Sequence, residues 1–299
     1  MWFKNVRVYR LSAPLTIDAA ALEQALAEYK FTPCSGREAV RSGFSFPLHP
    51  SIKHYSHQQN QRWYFAIKRQ EKVLPAAVIN EELAPKLDAA ATEAGRPLSR
   101  KEKQALKEDL IQTLLPRAFS RSSLTQGYYD GERQWLVLNT GSASKAEDIL
   151  ALLRKALGSL PALPWLDSHK LNQQLQLWLQ QQSLPAQFQL GAAVELKAPD
   201  EEGAKVKFSN HLLTADEVQT HLQDKLVTRL SLQQEQGLAL TVADDGGIKQ
   251  IQYPDALFEQ NEELGWDDLI SRLDADLILM ADSLDQALQA ISAQVNGSH

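Results

Sequence analysis

His54 and His57 stand three residues apart, a spacing that can bring two imidazoles to one metal ion. No cysteine and no H-E-x-x-H context accompanies them. Their neighbourhood, residues 33–60 with Pro33, Gly36, Gly43, Pro47 and Pro50, reads as loop and turn, so solvated loop histidines are the better reading. Cys34, the sole cysteine, lacks any nucleophile signature and reads as a packed thiol. Asp274 and Asp276 flank an apolar run and could mimic a nuclease metal pair, but charges beside a strand are the commoner explanation. Neither G-x-x-x-x-G-K-[ST] nor G-x-G-x-x-G is present, so nucleotide cradles lack support. No catalytic residue, metal site or cofactor is expected, although a triad assembled from distant positions leaves no such trace.

The basic residues say more. Arg96, Arg100, Lys101, Lys103, Lys107, Arg117 and Arg121 crowd one stretch, against Glu102, Glu108 and Asp109. At about 100° per residue, Arg100, Lys103 and Lys107 share a helix side with Leu110 and Leu114. Such a helix packs by its C-terminal half and projects a charged N-terminal half, where phosphate contact competes with a plain solvated surface. The run Leu114-Leu115-Pro116-Arg117-Ala118-Phe119-Ser120-Arg121 then sets an aromatic between two arginines just past a helix stop. A lone aromatic belongs in the core by default; the functional alternative makes Phe119 an exposed anchor for a partner subunit. Lys205 and Lys207 are further candidate phosphate contacts.

What must position these residues is a chain of 299 residues, 43% hydrophobic and 23% charged, enough for one sizeable core and room for two. The single cysteine rules out a disulfide framework and fits a reducing compartment. The N-terminus lacks the continuous apolar segment of a signal peptide, and no run approaches the roughly 18 apolar residues of a membrane span. A soluble, cytoplasmic protein with no membrane partner is expected. Net charge is −6, yet residues 255–299 alone carry −9, which leaves residues 1–254 at +3. A mildly basic body is therefore hidden by an acidic end, and local patches, not totals, attract phosphates.

Alternation predicts strands over Trp2–Leu11 and Arg62–Arg69, with an amphipathic helix over Asp18–Tyr29 between them. Helical signal runs from Pro75 to Leu115, broken near Gly95–Pro97, with a capping box at Ser99 and Glu102 and a stop at Pro116. Tyr128 and Gln134–Asn139 predict a hairpin turned by Asp130-Gly131. Ser144 and Glu147 would open a further helix that closes at Gly158. Leu160–Pro164 reads as a hinge. Beyond it come a helix over 169–182, strands over 188–196, 205–208, 226–232, 238–243 and 248–253, and a short helix capped by Thr214 and Glu217. A strand over Leu277–Ala281 leads through Ser283 and Gln286 into a last helix. The passages 135–153 and 276–291 look alike, each an apolar strand, a turn and a helix; chance explains this as well as duplication does.

Seven stretches, in order along nearly the whole chain, resemble the bacterial recombination-associated RdgC family. They are Trp2–Asn5, Val8–Leu11, Phe31–Cys34, Glu71–Pro75, Leu114–Arg121, Lys145–Pro161 and Asp274–Met280. The pattern departs around 43–63 and 198–213, and the second departure touches Lys205 and Lys207. The resemblance implies a homodimer closed into a ring, with duplex DNA threaded through a positively lined hole. It further implies little sequence preference, nucleoid association and functional antagonism with the RecA recombinase. The expected fold is α+β: mixed or antiparallel sheets with packed helices, two related layers and a helical tip insertion. A centre (1–75 and 117–164), a tip (76–116) and a base (165–299) are expected, with a strand–helix unit at 274–295 that could return to the centre. The resemblance favours Phe119 at closure between tips. The rival reading is an interaction module acting directly on recombination proteins, with DNA incidental; a nuclease using Asp274 and Asp276 is the more distant alternative.

Overall fold

The computed structural model describes residues 2–200, 203–259 and 269–297. The chain is α+β, with antiparallel sheets and packed helices, and it divides into two compact units. One gathers Met1–Ala19, His57–Tyr64 and Gln126–His299; the other holds Ala20–Ser56 and Phe65–Thr125.

In the first unit β1 (Arg7–Leu11) lies between β6 (Trp135–Leu138) and β7 (Ala162–Pro164), both antiparallel to it. β6 pairs in turn with the second half of β5 (Phe119–Asp130). All four residues of β6 are buried, which is why its sequence is a continuous apolar run. Asp130 closes the β5–β6 hairpin by accepting the N–H groups of Glu132 and Arg133, each at 2.9 Å. α4 (Ala143–Leu157) follows and buries Ala146, Ile149, Leu150 and Leu153 at helical spacing.

The same unit holds a five-stranded sheet of order β12-β11-β10-β8-β9. Its strands are β8 (Phe188–Lys197), β9 (Lys205–Ser209), β10 (Leu226–Gln234), β11 (Ala239–Ala243) and β12 (Ile248–Gln252). α5 (Ser168–Gln181) packs against β10 and buries Leu171, Leu175, Trp178 and Leu179, while Val194, Leu196, Val227, Leu230 and Leu232 are buried along the strands. α6 (Asp216–His221) and α7 (Asp255–Glu259) are short; α8 (Leu269–Asn296) spans 28 residues and packs on α5.

In the second unit α1 (Ala19–Glu28) precedes β2 (Val40–Ser45), which pairs with the outer part of β4 (Arg62–Val73). Gly43 is required there, because a Cβ would lie 2.5 Å from the Phe31 backbone. α2 (Ala76–Ala94) and α3 (Arg100–Leu114) form a hairpin sealed by Ile79, Leu83 and Leu110, with Leu87, Leu106 and Ile111 packed around them. Gly95 ends α2 in the left-handed region, at φ 62°, and the Ser99–Glu102 capping box opens α3 as its sequence predicts.

Several expectations are corrected. Residues 33–60 are not all loop: they contain β2, interrupted by Gly43, and the wholly polar β3 (Ser56–Gln59), which carry little β signal. The first strand begins at Arg7, not Trp2. α3 ends at Leu114, and Pro116 sits in a single 3-10 turn, Leu115–Arg117. α4 is capped by Ser142, whose backbone is extended and whose side chain accepts the Lys145 N–H; Ser144 lies inside the helix. α6 begins after Ala215 with no side-chain cap, so Thr214 and Glu217 form no capping box. The supposed hinge contains β7, held to β1 by pairs such as Arg10↔Leu163. Leu277–Ala281 is helix, not strand. Leu277, Met280, Ala281, Leu284, Leu288 and Ile291 are buried at three- and four-residue steps, a helical period hidden by the apolar run around it. The likeness of 135–153 to 276–291 is therefore one of composition, since the first is strand then helix and the second helix throughout.

Candidate nucleic-acid interface

The predicted basic residues fall on both units. Within the second, Arg100, Lys101 and Lys103 are exposed at the N-terminal end of α3, Lys107 is half-buried and Leu110 is buried. The face thus passes from solvent to core along the helix. Arg96 is less available than its charge suggests. It forms a bidentate pair with Glu102, with N–O distances of 3.1 and 2.7 Å, and with the Ser99 N–H it holds that carboxyl down at about 2. Arg117 lies past the far end of α3, about 25 Å along the axis from Arg100 at 1.5 Å per residue.

Arg117 and Arg121 join a second basic group that the sequence reading left out. The outer parts of β2, β4 and β5 form a narrow sheet in which neither face is fully covered. Phe119–Leu124 are all exposed, Lys68–Lys72 are half-buried, and Val40–Ser42 are exposed. Residues 37–42, 68–73 and 117–124 carry Arg37, Arg41, Lys68, Arg69, Lys72, Arg117 and Arg121 against Glu38 and Glu71. Some of these charges are held by local contacts. Arg41 pairs with Glu38 at 3.1 Å, Lys72 donates to the Ala118 carbonyl at 3.2 Å, and the Lys68 ammonium stands 4.9 Å over the Phe31 ring. These contacts fix positions without cancelling the excess of seven cations against two acids.

Register sorts the side chains. Val40 lies opposite Glu71, and the Arg121 Nε donates to the Glu71 carboxylate at 3.0 Å. Val73 and Phe119, two residues further along their strands, share that face by the pleat. Val40 is 43%, Val73 42% and Phe119 88% exposed, so an apolar patch surrounds the Arg121–Glu71 pair. Arg41, Lys68 and Lys72 fall with Gln70 on the opposite face, where Gln70 donates to Ser122 at 3.4 Å.

On the first unit, Lys205 and Lys207 are exposed on β9, an edge strand. Lys207, Glu195 and Arg229 stand directly opposite one another across β9, β8 and β10; Arg229 and Glu195 are paired at 3.2 Å. Two register positions on, Lys205 faces Lys197, a like-charge pair that is unfavourable until a counter-ion joins it. The sheet face turned from the core therefore carries Lys197, Lys205, Lys207 and Arg229 against Glu195.

The candidates for catalysis disperse. His57 Nε2 lies 2.6 Å from Asp274, whereas His54 stands 3.7 Å from Glu23, so the two imidazoles serve different carboxylates. Cys34 is half-buried, with its N–H held by Gln70 at 2.8 Å. Asp274 and Asp276 lie within α8 and flank no strand in the sequence, and at i and i+2 they point to different helix sides. Among the described residues no three His, Cys, Asp or Glu side chains are grouped to hold a metal ion, and no helix is long and apolar enough to cross a membrane.

The family profile described as "Putative exonuclease, RdgC" matches residues 1–298. The chain belongs to the RdgC family. RdgC relatives match it over nearly its whole span. A recombination-associated protein RdgC of Shewanella oneidensis (strain ATCC 700550 / JCM 31522 / CIP 106686 / LMG 19005 / NCIMB 14063 / MR-1) is 40% identical over 298 residues, covering 99% of this chain and 98% of that one. One from Pseudoalteromonas translucida (strain TAC 125) is 39% identical over 293 residues, covering 98% and 97%. One from Proteus mirabilis (strain HI4320) is 38% identical over 298 residues, covering 99% of each. These names associate the RdgC family with recombination and none of them is enzymatic, while the family description retains an exonuclease.

Two groups of residues escaped the sequence reading of this RdgC chain. Lys68, Arg69 and Lys72 are legible as K-R-x-x-K, but the apolar alternation that marks β4 stops at Ile67, so its cationic continuation carries no strand signal. Lys197 and Arg229 are brought beside Lys207 and Lys205 only by sheet register, for which the sequence carries no local signal.

Proposed function

We propose that the chain binds double-stranded DNA without sequence preference, as a homodimeric ring that encircles the duplex and limits RecA access to it, and that it catalyses no reaction. The observation that carries this reading is the outer sheet of the second unit with its adjoining turns, where seven cations stand against two acids on partly exposed strands. Lysine and arginine spread over a surface neutralise phosphates and carry no sequence information. The α3 cations and the Lys197–Lys205–Lys207–Arg229 face add to this supply. Encirclement makes modest local charge sufficient, because a threaded duplex is held topologically.

Dimer closure is assigned to the patch of Phe119, Val40 and Val73. An 88% exposed phenylalanine beside two exposed valines is a costly surface in a lone chain and a good anchor in an interface. The centre, tip and base divisions and a cytoplasmic, nucleoid-associated location belong to the same reading. The test is binding to duplexes of one composition in shuffled order, with sedimentation at micromolar concentration. Equal affinity and a dimer are expected. A strong preference for one duplex, or a monomer, contradicts the proposal. Chelator-sensitive release of nucleotides from linear DNA would instead make this chain a nuclease.

A further inference from the structure

A cleft of about 1080 Å³ opens at the β1–β7 end of the first unit, lined by residues of that unit. Strand register sets one of its sides. Asp130, Trp135, Arg10 and Leu163 stand directly opposite one another across β5, β6, β1 and β7, so their side chains share a sheet face. Tyr128, two residues before Asp130 on that face, donates to Asp285 of α8 at 2.6 Å. Gln289, Ser292 and Ala293 follow Asp285 by four, seven and eight residues and lie on the same side of the helix. Asp285 is buried whereas Gln289 and Ala293 are exposed, so this helix side leaves the core and runs out beside the far end of the row. The cleft separates the two there.

Its walls are fixed. The Trp165 Nε1 donates to the Gly246 carbonyl at 3.0 Å, and the Trp165 carbonyl accepts from the Asn296 amide at 3.0 Å. The Trp135 and Trp165 rings meet edge to face, with centroids 5.9 Å apart. A peptide strand finds no donor along β7, because Leu163 pairs inward with Arg10, Ala162 donates its N–H to Leu160 at 2.8 Å, and Pro164 has none. An occupant is therefore held by side chains.

Three cations and three acids line the cleft. Arg7 pairs with Asp245, and Glu147 accepts the Tyr9 hydroxyl at 3.5 Å; Arg7 and Tyr9 lie on the face of β1 opposite to Arg10. Asp167 caps α5 by accepting the Lys170 N–H at 2.9 Å, and the Lys170 ammonium acts on the same carboxylate. Asp130, at the other end of the row, is held by Arg62 at 3.5 Å and Arg133 at 3.1 Å. Among the described residues the Arg10 guanidinium, the Trp135 Nε1–H and the Gln289 amide have no hydrogen-bond or ion-pair partner. The groups left open on the α8 side are thus mostly donors, one of them charged, beside the apolar surfaces of Leu163 and Ala293.

We propose that this cleft binds a nucleotide phosphate: Arg10 and the Trp135 N–H take the phosphate oxygens, the base lies against Leu163 and Ala293, and Gln289 reads a base edge. An arginine free of carboxylates matches a phosphate with its planar fork, and a side-chain amide pairs with an adenine edge. The volume stands at the upper end of small-ligand sites, roughly 300–1,000 Å³. A free mononucleotide and the 5′ end of a DNA strand carry the same phosphate chemistry. None of these residues belongs to the surfaces assigned to duplex binding or ring closure, so this site and that reading fail separately.

The test is titration of the full chain with deoxyadenosine 5′-monophosphate, followed on the Trp135 indole N–H signal of an isotope-labelled chain and assigned by its loss in Trp135→Phe. A saturable shift is expected, with inorganic phosphate and deoxyadenosine each binding about tenfold more weakly or worse. Arg10→Gln, at an exposed position, should weaken binding about tenfold or more, with melting temperature and duplex affinity unchanged. Ala293→Phe, which fills the cleft from α8 without touching a charge, should give a similar loss and decides the matter if Arg10→Gln does not fold. A 5′-phosphorylated single strand that binds more tightly than the mononucleotide, and loses this advantage with a 5′-hydroxyl, identifies strand ends as the source; the opposite order identifies free nucleotides. The absence of a saturable shift, an equal response to phosphate alone, or wild-type binding by either folded variant overturns the proposal.

Discussion

Phe119 shows most clearly how one residue can be read two ways. Its sequence setting, after a helix stop and between Arg117 and Arg121, marks it as unusual without saying which way the ring points. The 88% exposure removes it from its own chain's core. Phe119→Ala should then change folding stability by no more than about 0.5 kcal/mol, as surface substitutions do. Ring closure should weaken by about 2 kcal/mol or more, read as loss of retention on circular DNA at raised salt. A melting temperature far below that of the wild type would return the residue to a core role. The neighbouring Val40 and Val73 were not legible in the same way, because only the register of β2 on β4 and the Arg121–Glu71 bond between β5 and β4 put them on the face of Phe119.

Elements were legible in proportion to how local their causes are. α3 was fixed by a serine, a glutamate and a helical apolar period within one turn or two, and its capping box is present as read. Ser99→Ala should cost about 1 kcal/mol of stability and expose the start of α3 to faster amide exchange. α8 was misread because its apolar residues run together at Leu277–Met280, so that a strand-like run masked the three- and four-residue steps of its buried face. β2 was missed since its sequence, Val-Arg-Ser-Gly-Phe-Ser, exposes three of its residues and depends on a crossing segment. That dependence is testable: Gly43→Ala would press a methyl onto the Phe31 backbone and should destabilise the fold by about 1–3 kcal/mol in denaturant melts. A neutral result would mean that Phe31 yields without cost.

At the scale of the whole molecule, composition pointed the wrong way until it was mapped. A chain of net charge −6 carries −9 in residues 255–299 and keeps distinct basic groups elsewhere. The α3 group and the α+β class were legible from sequence; the five-stranded sheet face and the outer strand group were not, since both are assembled by pairing distant strands. Replacing Arg100, Lys103 and Lys107 together should lower duplex affinity uniformly across sequences and reduce the salt slope by up to about three. No change would make them a solvated helix surface.

The central claim, that DNA is held through phosphates, is tested most directly by the salt dependence of duplex affinity. The wild type should give a steep linear fall of log K with log salt, of the same slope on shuffled duplexes. A variant with Lys68, Arg69 and Lys72 replaced by glutamine should lose up to about three from the magnitude of that slope. A wild-type slope near zero, or a variant indistinguishable from wild type in slope and affinity, would contradict the assignment of the outer sheet to DNA.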